Sequence, residues 1–485
     1  MHQLLVISHV LGGLLMVFSA TFLLPLGWSL AVDDGTARSF AVSGLGCLLA
    51  GLVLWLSTRR HRRELQPRDG ALLVVLGWIG MAGAASVPLL LEVPHISFTD
   101  AYFEAISALT TTGATVISGL DDLPQAINVW RHALQWFGGM GIIVLAVAIL
   151  PLLGVGGRQL YKAETPGPMK EAKLTPRIAQ TAKYLWLLYA LLTLACLLSL
   201  RAVGLDWYDA LCHAFSATAL GGFSNRDASI ASFDSQAVEL VLMVFMMLAV
   251  LNFTTHFLAL RQRSLRVYVR DHEVFAVWTL ILSSCLILAA YLWWHRVYPE
   301  FPEALRHASF NTISLATSSG YMSTDFDLWP IFAPMWMLFL GAIASSAGST
   351  GGGIKMMRVL ILLRQATLEL KRMVHPRAVT PLTLSGHVVD NRVVLAVLGY
   401  MLLYGMSLVV LTFVMMATGL DFITAVTGVM ACLNNTGPGL NLLGPAFNYQ
   451  HLSDLQTWLF AFAMLAGRLE LLTVFVLFTP GFWRK

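Results

Sequence analysis

Four stretches of this sequence repeat one spacing of small, polar and glycine residues: AYFEAISALTTTGAT from Ala101, ALCHAFSATALGGFS from Ala210, ASFNTISLATSSGYM from Ala308 and AVTGVMACLNNTGPG from Ala425. Six residues after each alanine stands Ser107, Ser216, Ser314 or Ala431, and six further on stands Gly113, Gly222, Gly320 or Gly437. Small or polar residues before each glycine let the backbone turn its carbonyls toward a common axis, and glycine supplies the positive φ that bends the chain back. The chemistry this permits is coordination, with a ring of carbonyl oxygens replacing the hydration shell of a cation. The candidate ring residues are Thr111, Thr112 and Gly113, then Leu220, Gly221 and Gly222, then Ser318, Ser319 and Gly320, and finally Asn435, Thr436 and Gly437. A single copy would be an ordinary helix C-cap. Four ungapped copies in register require a common purpose.

A second stretch, SSAGSTGGGIK at 345–355, offers different chemistry. A phosphate-binding loop needs a preceding strand and the pattern GxxxxGK[ST]. Here Gly348 is followed by STGGGIK, the lysine is displaced, and the preceding run MWMLFLGAIA is apolar. The segment Ser345, Ser346, Ala347, Gly348, Ser349, Thr350, Gly351, Gly352 and Gly353 is therefore expected to unwind in mid-membrane as a movable gate beneath the ring. Lys355 and Arg358 then fall at the inner surface, as anchors or as contacts for a cytosolic partner. Arg468, in AMLAGRLELLTVF, is a cation deep in an apolar run. A charge there faces a polar interior or cavity. It either pairs with Glu470 or backbone carbonyls, or meets the 344–353 loop as an electrostatic barrier.

The elements that must position these residues are membrane helices. The chain has 485 residues, of which 57% are hydrophobic and 12% charged, against about a quarter charged in soluble proteins. Ten apolar runs are long enough to cross a bilayer, at 4–31, 40–57, 71–92, 127–155, 184–203, 237–260, 274–295, 331–363, 393–418 and 456–478. The first lacks the basic start and cleavage site of a signal peptide. With the N-terminus inside, 24 of the 31 lysines and arginines fall in inner segments, as the positive-inside rule requires. Outer segments carry aspartates such as Asp33, Asp100, Asp121, Asp209 and Asp327, which raise the local cation concentration at that mouth. Cys47, Cys196, Cys212, Cys285 and Cys432 are scattered apolar fillers. The histidines show no metal-ligand spacing, and no catalytic cluster points to an enzyme.

Successive ring glycines are 109, 98 and 117 residues apart, so the repeating unit is about 110 residues. Each unit is expected to be a span, a half-helix of about 18 Å, a glycine turn and a second span. Non-helical backbone at mid-depth is tolerated where it lines a polar cavity. Each half-helix aims its partially negative C-terminus at the centre, which favours a cation. This divides the chain into an N-terminal two-helix extension at 1–66 and repeats at 67–160, 161–265, 266–370 and 371–485, the third with a broken second helix.

The four loops, the ten spans and the broken eighth span resemble the Trk and Ktr family of potassium-uptake membrane subunits, and TTTGAT, LGGFS, NTISLATSSG and NNTGPGLN resemble its TrkH-type branch. The resemblance implies an all-α membrane protein with pseudo-fourfold repeats around one pore that conducts potassium and also rubidium. It further implies a homodimer in the bacterial cytoplasmic (inner) membrane, with both termini inside. A cytosolic TrkA-like nucleotide-binding subunit would regulate it, so nucleotide enters only through that partner, and neither a prosthetic group nor nucleic acid is expected. Serine at the first filter glycine is associated with sodium permeation in this superfamily, and all four glycines are intact here. Arg468 matches the family's pore arginine. Leu220 and Asn435 depart from Thr111 and Ser318, which implies a less uniform ring and modest selectivity. Potassium uptake by symport or as an ion channel is the leading function. The alternative, a carrier coupling an organic solute to sodium or protons, fits inverted repeats, whereas these four share one direction.

Overall fold

The computed structural model describes residues 2–61, 67–144, 178–376, 381–384 and 387–484. The basic positions 62, 63, 158, 162, 170, 173, 177, 377 and 485 used above for orientation lie outside them. Among the described residues the fold is helical, with one two-residue antiparallel pair, β1 (Thr383–Leu384) and β2 (His387–Val388). An N-terminal group comprises α1 (His2–Ser19), α2 (Leu23–Val32) and α3 (Ala37–Thr58). It docks on the next unit through Phe18, Phe22 and Phe40, which close around Trp130. The Phe22 and Trp130 rings lie 4.5 Å apart and the indole donates to the Ala85 carbonyl at 3.0 Å.

Four units follow, each a long outer helix, a short pore helix and an inner helix. The first is α4 (Pro67–Glu92), α5 (Phe98–Leu109) and α6 (Gln125–Val144). The second is α7 (Ile178–Ala202), α8 (Trp207–Ala219) and the bent pair α9 (Gln236–Ala249) and α10 (Phe253–Gln262), followed by the connector α11 (Arg266–Arg270). The third is α12 (His272–Trp294), α13 (Phe301–Ala316) and the interrupted pair α14 (Phe332–Ile343) and α15 (Met356–Val374). The fourth is α16 (Asn391–Ala417), α17 (Phe422–Leu433), and α18 (Asp454–Arg468) with α19 (Leu471–Phe475), before the terminal turn α20 (Pro480–Trp483).

Among the described residues, six helices are long and apolar enough to cross a membrane unbroken. The expected sixth and tenth spans are not straight: α9 and α10 meet at 92°, and α18 meets the segment Leu471–Phe478 at 114°. The eighth is divided at 344–355, and the part of the fourth beyond residue 144 lies outside the described residues. The breaks leave helix ends whose backbone groups need partners. Asn252 caps α10 by accepting from the Thr254 amide.

The short helices, called pore helices, are capped so that they start at the surface of the molecule and stop inside it. Ser97, Asp206 and Asp421 accept from the amides of Asp100, Asp209 and Thr424 at the first turns of α5, α8 and α17, and α13 begins with a proline in its first turn. Such caps contribute about 1 kcal/mol each. Nearly every residue of the inner two turns is buried, and these helices form the centre of the molecule.

Candidate functional site

All four pore helices end in the same way. Thr112, Gly221, Ser319 and Thr436 donate their amides to the carbonyls of Ser107, Ser216, Ser314 and Ala431 at 2.8 to 2.9 Å. The residues just before them, Thr111, Leu220, Ser318 and Asn435, donate three positions back and have φ of 52°, 55°, 61° and 52°. This is a Schellman ending, whose left-handed residue is usually glycine. Here none of the four is glycine, and each costs about 1–2 kcal/mol in that conformation. The small residue in each sequence copy is thus the acceptor that closes the helix. Leu220 and Asn435, the departures seen in sequence, adopt the same backbone as Thr111 and Ser318.

The conserved-spacing glycines lie two residues further on, with φ of 83°, 75°, 85° and 93° at Gly113, Gly222, Gly320 and Gly437. Positive φ therefore occurs at alternate residues. Rotating alternate residues in opposite senses lets successive carbonyls share one side of the strand. The glycines also lack room for a side chain. A Cβ on Gly113 would overlap the carbonyl oxygen of Gly221, one on Gly222 that of Ser319, one on Gly320 that of Thr436, and one on Gly437 would come within 2.7 Å of that of Thr112. Each unit's glycine faces the next unit's carbonyl, and the fourth closes on the first. The result is a cyclic ring in the order of the chain. One cavity of about 310 Å³ is lined by all four glycines, together with Arg131, Asp227 and Asn448. The carbonyls of Thr112, Ser319 and Thr436 accept no hydrogen bond among the described residues, whereas that of Gly221 accepts from the Gln135 side chain.

A position that sequence spacing does not reveal braces the ring from behind. Three residues after each repeat alanine stand Glu104, His213, Asn311 and Gly428. Glu104 accepts from Thr115 Oγ1 and from the Val116 amide at 3.0 Å, His213 Nε2 meets Ser224 Oγ at 3.0 Å, and Asn311 Nδ2 donates to Ser323 Oγ at 3.1 Å. In the fourth unit the adjacent Thr427 hydroxyl takes over, accepting from the Leu440 amide at 3.0 Å. Four unlike residues do one job, so no motif announces it. Glu104 also holds Arg131 at 2.7 Å, both fully buried, with the guanidinium 4.2 Å above the Phe223 ring.

Beneath the ring lies the 344–355 loop, bonded to three of the four units. The Gly352 amide donates to Ser318 Oγ at 2.9 Å, Thr350 Oγ1 donates to the Thr218 carbonyl at 3.1 Å, and the Ser346 amide donates to the Val250 carbonyl at 3.1 Å. The Phe253 amide donates to the Gly348 carbonyl at 3.2 Å, and Glu273 receives the Ala347 amide at 2.9 Å. Ser345 Oγ bonds the Gly352 carbonyl, closing the loop on itself, while Ser349 Oγ donates to the Ser346 carbonyl at 2.7 Å. From the fourth unit, Arg468 Nη1 donates to the Thr350 carbonyl at 2.7 Å. Arg468 is 3% exposed, and its Nε and Nη2 have no hydrogen-bond partner among the described residues. The loop and the arginine, distant in sequence, are thus direct partners. Of the expected alternatives, a pair with Glu470 is not formed, whereas a bond to a backbone carbonyl and contact with the 344–353 loop coincide at Thr350.

Glu470 instead pairs with Arg358 at 2.9 Å. This corrects the expectation that Arg358 lies at the inner surface, because the side chain is 1% exposed and stacks 4.1 Å over Tyr400. Lys355 likewise turns inward and donates to the Gly351 carbonyl from a backbone with φ of 78°. Arginine readily takes such planar, stacked and buried positions. Two other acids, both buried, are also paired, Glu104 with Arg131 and Glu239 with Arg306, each at 2.7 Å.

Comparison with known proteins places the chain beside cation transporters. The family model TrkH, described as "Cation transport protein", matches residues 37–485. The Trk system potassium uptake protein TrkH of Vibrio parahaemolyticus is 46% identical over 485 residues, covering 99% of each chain. The protein of the same name from Salmonella typhimurium is 44% identical over 480 residues, again 99% of each. The crystal structure of the potassium transporter TrkH from Vibrio parahaemolyticus superposes with a TM-score of 0.91, covering 99% of this chain and 100% of that one at 44% identity.

Proposed function

The chain belongs to the TrkH family of cation transport proteins, and on that premise we propose that it takes up potassium through the carbonyl ring. The observation that carries this reading is the cyclic contact of four glycines with four neighbouring carbonyls around one cavity. Carbonyl dipoles in that arrangement compensate a dehydrated cation, and the buried C-terminal ends of four pore helices add to the negative potential there. Rubidium, close to potassium in size, passes the same way. The twelve ring residues named above form the ion path, with the oxygens supplied by the backbone.

The 344–353 loop and Arg468 form the gate. The loop blocks the inner side of the ring, and the guanidinium adds a positive charge to the block. The units 1–66, 67–160, 161–265, 266–370 and 371–485 act as an extension and four quarters of one pore. A cytosolic TrkA-like nucleotide-binding subunit opens the gate, and the chain works as a homodimer in the inner membrane with both termini inside. Those last assignments rest on the family resemblance and on the basic inner segments. Since Glu104, Glu239 and Glu470 are each committed to an arginine, we favour passive conduction over proton coupling.

The test is rubidium uptake by proteoliposomes containing the purified chain, with sodium competition and an imposed pH gradient. Uptake that resists excess sodium and ignores the gradient is the expected result. Absence of rubidium entry, or equal competition by sodium, refutes the potassium path, and dependence on the gradient refutes passive conduction.

A further inference from the structure

The ring is fourfold in backbone but not in what surrounds it. In three units the residue before the ring glycine carries a hydroxyl, as Thr112, Ser319 or Thr436, whereas the second unit has Gly221. Backbone geometry does not demand glycine there, because Gly221 is absent from the residues with positive φ. Space does. A Cβ on Gly221 would come within 3.0 Å of Cδ, Oε1 and Nε2 of Gln135. That side chain arrives from α6 of the first unit and is fully buried. Its Nε2 donates to the Gly221 carbonyl at 2.7 Å and its Oε1 accepts from the Phe223 amide at 3.4 Å. The two contacts together fix which end of the amide faces the ring.

A carbonyl that already accepts a hydrogen bond presents less negative potential to an ion and is tethered against moving toward it. The equivalent carbonyls of Thr112, Ser319 and Thr436 carry no such donor among the described residues; elsewhere in the ring, the Gly437 carbonyl accepts from the Tyr449 hydroxyl at 2.8 Å. Discrimination between potassium and sodium depends on how many carbonyl dipoles coordinate and how strongly. We propose that Gln135 is a specificity-determining residue: its amide fills the space where the other units carry a side chain and ties up the Gly221 carbonyl, so that fewer carbonyls coordinate the ion, and this smaller coordination number lowers the preference for potassium over sodium. This rests on the ring being the ion path. It adds that the first unit tunes the second, through a residue outside all four repeat motifs.

Rubidium uptake and its inhibition by sodium in proteoliposomes test this on three variants beside the native chain. Gln135→Leu keeps the bulk and removes the donor. It should raise rubidium preference over sodium by about three- to tenfold, the range set by an ordinary hydrogen bond. Gly221→Ser alone should push the flexible end of Gln135 off the carbonyl, since its Cβ comes within 3.0 Å of the amide, and so should raise rubidium preference in the same sense. Gly221→Ser combined with Gln135→Ala, which restores the pattern of the other units, should take up rubidium with the raised preference. An unchanged ratio in Gln135→Leu or in Gly221→Ser overturns the proposal. So does a double variant that elutes like the native protein but takes up no rubidium. Failure of the native chain to take up rubidium would instead overturn the ion path itself.

Discussion

Replacing Arg468 tests the gate most directly. The guanidinium donates to the Thr350 carbonyl at 2.7 Å inside a buried site. A hydrogen bond from a charged group contributes about 1.5–3 kcal/mol. If the bond exists only while the loop is in place, removing it shifts the closed-to-open ratio by roughly 10- to 150-fold, at 1.4 kcal/mol per decade. The charge acts in addition. At an effective dielectric of about 20, two like charges about 4 Å apart repel by about 4 kcal/mol, and by less the further the passing cation keeps from the guanidinium. The series Arg468→Ala, Arg468→Gln and Arg468→Lys separates the two effects, since glutamine retains a donor without charge and lysine retains charge without the planar fork. The expected order of initial rubidium uptake per reconstituted protein is alanine above glutamine above lysine, with lysine near the native level. Sodium competition should not change, because the carbonyls that select are above the loop. Uptake by Arg468→Ala at the native rate would refute the gate, and a changed ion preference would place the arginine's influence in the ring instead.

Two further substitutions probe the ring and its brace. Gly222→Ala drives a methyl group into the Ser319 carbonyl and should abolish selective rubidium uptake while leaving the detergent-solubilised chain folded, as read by size-exclusion profile; full native uptake would contradict the ring geometry. Glu104→Leu leaves Arg131 buried and unpaired at 1% exposure and should lower stability by about 3–5 kcal/mol in thermal unfolding. Adding Arg131→Met should recover most of that loss, and no recovery would mean that the pair's remaining contacts, not its charges, dominate.

Much of this architecture is legible in the sequence because it is periodic. The common spacing of Ala, Ser and Gly located the four helix ends, and the structure shows why: the small residue is the Schellman acceptor and the glycine faces the next carbonyl. The limits of the six unbroken spans follow from apolar length. The breaks at Val250–Asn252 and Leu469–Glu470 were not foreseen, because neither contains glycine or proline. They are held by tertiary bonds such as Ser346 to Val250 and Arg358 to Glu470. The same reason hid Gln135, whose partner lies 86 positions away. It also misplaced Arg358, whose burial depends on an acid and an aromatic ring contributed by the fourth unit. Local pattern reports what a segment does to itself, and these residues act on something else.

The 344–355 loop touches three units and belongs to one. A homotetramer built from identical copies of such a unit would bring four loops to the same axis, where the bonds described leave space for one. Joining the quarters into a single polypeptide removes that conflict, because each quarter can then carry different equipment at its inner end. The second supplies the Val250 and Phe253 docking points, the third the obstruction, and the fourth the arginine that meets it. Covalent linkage thus makes possible a division of labour among otherwise equivalent parts: a near-symmetric ring above, and below it a single asymmetric stopper that one event can withdraw.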